Sequence, residues 1–134
     1  MIRVMIDTNI FISAILFPNG RASEALKKAL VSPYRPVTCD YVIDELYRKF
    51  QEKFSDKIKE LNDFADTSLK IIDVVKTPDI TVKSEGLIRD IKDRPILRAA
   101  LDAGVDLFLT GDKDFLESSV RDPRIISVAE FLDK

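Results

Sequence analysis

Short apolar runs alternate with stretches of helical periodicity along the whole chain. The apolar runs are too short for helices and are typical of strands buried in a sheet; they occupy residues 4–6, 37–39, 71–75, 107–110 and 124–128. Between them, the spacing of apolar residues predicts helices over 9–17, 23–31, 41–53, 56–70, 86–91, 96–103 and 129–132. This alternation predicts an α/β fold, with a central parallel sheet flanked by helices on both faces.

Residues that begin and end helices support several of these boundaries. Asp40 and Ser55 are suitable N-caps for the helices that follow them. Pro95 suits the first turn of the 96–103 helix, and Gly104 suits the left-handed position after its end. The region 77–92 has the least regular pattern, and 111–114 is predicted to be a loop. The 134 residues fit one domain, 1–134.

Two residue types are scarce, and this narrows the possible chemistry. The chain has no histidine, which excludes Ser-His triads, histidine acid–base catalysis and most zinc sites. Its single cysteine, Cys39, cannot form an internal disulfide and fits a reducing compartment, so a cytoplasmic location is expected. A catalytic metal would therefore need oxygen ligands, which favour Mg²⁺, Mn²⁺ or Ca²⁺.

Acidic residues follow two of the predicted strands. Asp7 ends the first apolar run, and Asp112 follows the 107–110 run. Parallel strands bring both carboxylates to one edge of the sheet, where ligands of open α/β sheets bind. Carboxylates crowded there repel one another unless a cation lies between them, and a divalent metal ion is the simplest such cation.

Each acidic residue also has a plain structural interpretation. Asp7 and Asp93 each precede a predicted helix and are possible caps, and Asp114 suits a turn. Within the 41–53 helix, spacing alone does not distinguish Glu45 from Asp44 as a site residue.

Four motifs, in order and over nearly the whole chain, resemble those of the PIN-domain family. They are Ile-Asp-Thr-Asn at 6–9, Asp-Glu-Leu at 44–46, Asp-Arg-Pro-Ile-Leu at 93–97 and Leu-Thr-Gly-Asp-Lys-Asp-Phe-Leu at 109–116. The chain is most similar in style to the VapC-like toxin components of toxin–antitoxin pairs. The resemblance implies a metal-dependent ribonuclease that leaves 5′-phosphate and 3′-hydroxyl ends.

The resemblance also assigns roles to individual residues and implies Mg²⁺ or Mn²⁺ as the cofactor. It implies four metal-binding catalytic acids and one accessory acid, which are Asp7, Glu45, Asp93, Asp112 and, as the accessory, Asp114. Glu45 is preferred to Asp44 because it precedes Leu46 as the family's glutamate does. Three polar residues would orient carboxylates or water; they are Thr8, Asn9 and Thr110.

Several basic residues near the motifs are candidates for binding RNA. At one of them the chain departs from related toxins. Arg94 stands where related toxins often have a further acid, and a guanidinium there suits a substrate phosphate. Lys113 is the second predicted substrate contact, and three further candidates near the motifs are Arg48, Lys92 and Arg98.

Net charge is −2, which by itself argues against a nucleic-acid partner. Setting aside the five proposed site acids leaves 18 acidic residues against 21 Lys plus Arg, about +3 for the remainder. This balance permits RNA binding. The resemblance further implies a homodimer and an antitoxin partner whose helix covers the acidic cleft. The apolar face at positions 10, 11, 14, 15 and 17 is a candidate groove for that helix.

Two alternative functions remain. The first is a non-catalytic PIN-like module that binds RNA or a protein. The second is a receiver-like phosphotransfer domain with an acidic Mg²⁺ pocket, in which Lys113 would be the strand-end lysine. Against the second, Asp40 lies in a helix-capping context and is not a clear phosphoacceptor.

Overall fold

The computed structural model describes all residues from Met1 to Lys134 and is built around a five-stranded, wholly parallel sheet. Each predicted strand is confirmed in place, although three of them are shorter than predicted. The strands are β1 (Ile2–Ile6), β2 (Tyr34–Cys39), β3 (Asp73–Val75), β4 (Leu107–Leu109) and β5 (Arg124–Ile126).

Seven α-helices pack on both faces of the sheet, six of them between strands and the last after β5, which confirms the predicted α/β fold. They are α1 (Thr8–Leu16), α2 (Arg21–Ala29), α3 (Asp40–Lys53), α4 (Ile58–Thr67), α5 (Arg94–Ala103), α6 (Lys113–Leu116) and α7 (Val128–Leu132). As predicted, Pro95 lies in the first turn of α5 and Gly104 ends it at a φ of 65°. None of the helices combines the length and apolar character required to cross a bilayer.

The core lies where the central strands meet the helices. Every residue of β4, and the last three of β1, are buried, as expected for strands covered on both faces. Five phenylalanines are fully buried around them and supply much of the apolar area removed from water; they are Phe11, Phe50, Phe108, Phe115 and Phe131.

The strand order β3-β2-β1-β4-β5 determines where a ligand can bind. The chain adds β2 and β3 on one side of β1, then returns to add β4 and β5 on the other. This reversal opens a crevice between β1 and β4 at the edge where the strands end, which we call the carboxyl edge. The receiver-like alternative requires the order 2-1-3-4-5, so the observed topology excludes it.

Several local predictions were wrong. The helix predicted over 86–91 is absent: two 3₁₀ turns, Lys83–Leu87 and Ile91–Asp93, flank that region instead. The 56–70 helix is reduced to α4, with 3₁₀ turns at Ser55–Lys57 and Leu69–Ile71. The predicted 111–114 loop contains the start of α6.

Asp40 is not the N-cap of α3 but its first residue, with Cys39 at the cap position. The Asp40 carboxylate instead accepts hydrogen bonds from the backbone N–H and the hydroxyl of Thr77, at 2.8 and 2.5 Å. It therefore anchors the chain just after β3.

Residues 76–93, here called the connecting segment, run from β3 to α5 with only the two 3₁₀ turns as regular structure. Side chains of neighbouring helices hold the segment in place. Arg98 of α5 forms an ion pair with Glu85 at 2.7 Å and donates to the carbonyl of Pro78. The Tyr41 hydroxyl of α3 donates to the carbonyl of Lys92. Tertiary contacts therefore define the fold of this segment.

Candidate active site

Asp7 is held at the end of β1 by two hydrogen bonds, and its side chain is almost fully buried. Oδ1 accepts from the backbone N–H of Thr8 at 2.7 Å, which makes Asp7 the N-cap of α1 as well as a candidate site residue. Oδ2 accepts from the Thr110 hydroxyl at 2.6 Å. Burial raises the pKa of Asp7 from 3.8 to about 6, against the lowering effect of these two bonds.

Asp112 lies directly beyond β4 and is connected to Asp7 through Thr110. The backbone N–H of Asp112 donates to the Thr110 hydroxyl oxygen at 3.0 Å, while that hydroxyl donates to Asp7. Oδ1 of Asp112 accepts from the backbone N–H of Asp114 at 2.8 Å and so caps α6. One buried threonine therefore links the ends of the two central strands.

Asp93 joins this pair from the connecting segment. It immediately precedes α5, yet its side chain makes no capping hydrogen bond, so it is not the cap that its position suggests. Its pKa is raised from 3.8 to about 7, first by burial, then by the negative charges of Asp112 and Asp7 and by a hydrogen bond with the Asp112 carboxyl group. Asp93 therefore lies near enough to Asp7 and Asp112 for their charges to act on it, although the three come from distant parts of the chain.

Glu45 reaches the same region from α3. It is buried in the structure, and its negative charge contributes to the raised pKa of Asp7. Asp44, which the sequence left as an alternative, is exposed. Arg48, one helical turn further, places Nη2 3.9 Å from Oε2 of Glu45.

Asp114 and Asp90 extend the acidic group toward solvent. One carboxylate oxygen from each of Asp90, Asp93 and Asp114 lies within 4.8 Å of the other two. The sequence prediction missed Asp90. The sequence feature that could have indicated Asp90 is its Asp-x-x-Asp spacing to Asp93. A single 3₁₀ turn, which Asp90 caps by accepting from the N–H of Lys92, brings these two residues close together.

The remaining predicted site residues have varied surroundings. Asn9 accepts from the backbone N–H of Gly111 at 3.2 Å and so ties α1 to the loop after β4. The hydroxyl of Thr8 is buried without a hydrogen-bond partner. Nε of Arg94 donates to the carbonyl of Ile88 at 2.8 Å, and Lys113 is exposed at the start of α6.

The arrangement offers oxygen ligands only, and it crowds carboxylates that would repel one another when ionised. Burial first, and then the charges of neighbouring acids, raise the pKa of Asp7 to about 6 and that of Asp93 to about 7. These residues fit a hard divalent cation, which would restore both carboxylates to their charged forms.

Comparison with known proteins shows the class to which this fold and acidic crevice belong. The model of the PIN domain matches residues 3–114, so the chain is a member of the PIN-domain family. An uncharacterized protein of Methanocaldococcus jannaschii is 27% identical over 124 residues, which span 90% of this chain and 76% of that protein.

Two solved structures share the fold. A chain in the crystal structure of VapBC2 from Rickettsia felis bound to a DNA fragment from its promoter has a TM-score of 0.70 and 14% identity, covering 94% of this chain and 98% of that one. A chain in DNA-bound VapBC from Salmonella typhimurium has a TM-score of 0.69 and 17% identity, covering 96% and 99%. The arrangement of helices around the sheet is therefore one that members of VapBC complexes also adopt.

Proposed function

We propose that this chain is a metal-dependent endoribonuclease with Asp7, Glu45, Asp93 and Asp112 as its catalytic carboxylates and Asp114 as an accessory ligand. The observation that carries the proposal is that Thr110 joins Asp7 to Asp112 at the crevice between β1 and β4, while Asp93 lies within 4.8 Å of Asp114, whose backbone N–H donates to Asp112. Membership of the PIN-domain family supports the same chemistry.

The contacts of these carboxylates suggest different roles for them in metal binding and catalysis. Asp7 and Asp112, fixed by Thr110, would be the rigid ligands. Asp93 makes no hydrogen bond to the backbone N–H groups of α5, so its carboxylate would be available to complete the metal shell or to orient an attacking water. Mg²⁺ or Mn²⁺ bound by these residues would lower the pKa of a water molecule and neutralise charge on the phosphate.

The decisive experiment is metal-dependent cleavage of total RNA by the natural chain and by Asp7→Asn. The amide keeps the size of the side chain and can retain its contact with Thr110, so the variant should fold. We expect Mn²⁺ or Mg²⁺ to support cleavage, EDTA to stop it, and Asp7→Asn to lose at least about a thousandfold. Cleavage by Asp7→Asn at the parental rate would exclude the proposal, and the absence of any metal-dependent cleavage would favour a non-catalytic module.

We further propose an antitoxin partner for the chain. The two VapBC structures support this because each contains a chain of the same fold within a toxin–antitoxin complex. A groove of about 310 Å³ between α1, α2 and α4 would receive apolar side chains of a partner helix. Its apolar wall is formed by Ala14, Ile15, Pro18, Leu26, Leu30 and Phe64.

Three residues of the predicted apolar face do not line this groove. Ile10 and Phe11 are buried core residues, at 2% and 0% exposure. Phe17 is 65% exposed and lies beside the groove at the end of α1. Size-exclusion chromatography of the chain alone and with the product of a neighbouring reading frame would test both the antitoxin and the homodimer that the family resemblance implies.

A further inference from the structure

Arg89 is an exposed arginine bound to a carboxylate of the candidate site, and it lies outside the motifs found in the sequence. It lies in the connecting segment, one residue before Asp90. Its Nε and Nη2 both donate to Oδ1 of Asp114, at 3.0 and 2.5 Å. The Arg89 side chain is 77% exposed and that of Asp114 is 24% exposed, so the guanidinium stands on the solvent side of the pair.

The other arginines near the site are committed elsewhere or contact a carboxylate less closely. Arg98 is held in its buried ion pair with Glu85 and by the carbonyl of Pro78. Arg94 donates from Nε to the carbonyl of Ile88. Arg48 approaches Glu45 only to 3.9 Å. Arg89 is therefore the cation that combines direct contact with an acid of the site and access to solvent.

The geometry of the pair leaves both partners able to bind something else. Both donors converge on Oδ1, so Oδ2 of Asp114 accepts no hydrogen bond from Arg89 and can face a cation. An exposed ion pair of this kind contributes little stability and exchanges readily. A guanidinium is planar and presents paired donors that match two phosphate oxygens.

We propose that Arg89 is a substrate contact that binds a backbone phosphate of single-stranded RNA beside the bond to be cut. This inference rests on the proposed nuclease function. With the carboxylates neutralised by a bound divalent cation, Asp114 attracts the guanidinium less strongly, and the phosphate becomes the better partner for Arg89. In the metal-free protein the same arginine lowers the repulsion among Asp90, Asp93 and Asp114.

The test compares Arg89→Gln with Arg35→Gln as a matched control. Arg35 also forms an exposed ion pair, with Asp73 at 2.8 Å, but it lies in the first half of β2, away from the carboxyl edge. Each variant removes one positive charge from the surface. Binding of a fluorescein-labelled, mixed-sequence single-stranded RNA is measured by anisotropy in Ca²⁺ at several salt concentrations, and a gel verifies that the RNA stays intact.

We expect Arg89→Gln to weaken RNA binding about fivefold and to reduce the slope of log affinity against log salt by about 0.7, the value for one lost phosphate contact on a single strand. Arg35→Gln should match the natural chain. Without RNA, Arg89→Gln should bind Mn²⁺ as tightly as the natural chain or more tightly, because a competing cation has been removed from Asp114.

Two results would overturn the inference. The first is an Arg89→Gln chain that binds RNA with the affinity and salt slope of Arg35→Gln. The second is an equal fall in RNA and Mn²⁺ affinity, which would mean that Arg89 only positions Asp114. Failure of the nuclease proposal itself looks different: the natural chain and the Arg35→Gln control would then both fail to cleave total RNA in Mn²⁺.

Discussion

The two halves of the candidate site are built in different ways. Asp7 and Asp112 extend from central strands, and a threonine with no exposed surface connects them. Asp90 and Asp93 lie in the connecting segment, where Ile80 and Ile91 are 82% and 71% exposed. The first half is positioned by backbone pairing and core packing. The second half is positioned by a few side chains that reach the segment from neighbouring helices.

This difference has consequences for stability and motion. Segments with few buried apolar contacts open locally at lower free energy than core strands. We therefore expect the connecting segment to open more readily than β1 and β4, and to carry Asp93 with it. Organising the complete site then depends on the tethers formed by Arg98 and Tyr41.

The largest effect should come from removing the contacts of Arg98 with Glu85 and Pro78. Arg98→Leu leaves the carboxylate of Glu85 buried without its partner, which should lower the free energy of unfolding by about 3 kcal/mol in urea titration. Amides of residues 79–92 should exchange faster with deuterium, while those of β1 and β4 stay protected.

The control for this prediction is the double variant Glu85→Leu/Arg98→Leu, which removes both charges. It should recover much of the lost stability, because no unpaired charge is left in the interior. Equal loss of protection in β1 and in the segment would show that the two halves unfold as one unit.

A change of intermediate size is expected in the free energy of unfolding when the pH is varied. The pKa values of Asp7 and Asp93 are raised to about 6 and 7, so the folded protein favours their neutral forms. That contribution is complete below the ordinary value of 3.8 and is lost as pH rises through 6 and 7. Without histidine, few other groups titrate in this interval.

Solvent screening at the half-buried Asp93 reduces its contribution, so in EDTA the free energy of unfolding should fall by about 2 kcal/mol between pH 5 and pH 8, and Mn²⁺ should remove the fall. Asp7→Asn should flatten the EDTA curve in part, by the contribution of Asp7. A metal-free protein whose stability increases over this interval would contradict the crowding of the carboxyl groups.

The smallest effect concerns the half of the site formed by Asp7, Asp112 and Thr110, which we call the rigid half. Thr110→Val keeps the side-chain volume but removes the donor to Asp7 and the acceptor for the N–H of Asp112. We expect a loss of about 1 kcal/mol in stability and about tenfold in metal-dependent cleavage. Thr38→Val is the matched control: this buried hydroxyl donates to the carbonyl of Ile6 at 3.2 Å, so stability should fall by a similar amount while cleavage stays near that of the natural chain. An equal loss of cleavage in the two variants would contradict a role for Thr110 in the site.

Much of the rigid half could be predicted from the sequence, because buried parallel strands leave continuous apolar runs and place Asp7 and Asp112 at the same edge. The connecting segment could not be predicted in this way. Its apolar residues follow neither helical nor strand periodicity, and Glu85 is buried only because Arg98 comes back to it from α5. Asp90 was missed for the same reason, since its proximity to Asp114 depends on that tertiary fold.

We expect carboxylates from both halves of the site to bind a divalent cation. Isothermal titration calorimetry with Mn²⁺ measures this binding on the natural chain, on Asp112→Asn from the rigid half, on Asp93→Asn from the connecting segment, and on Asp44→Asn as an exposed neighbour of the site. The natural chain and Asp44→Asn should bind Mn²⁺ tightly, and each of the other two at least about tenfold more weakly. Unchanged Mn²⁺ affinity in both Asp112→Asn and Asp93→Asn would show that these carboxylates do not bind the cation.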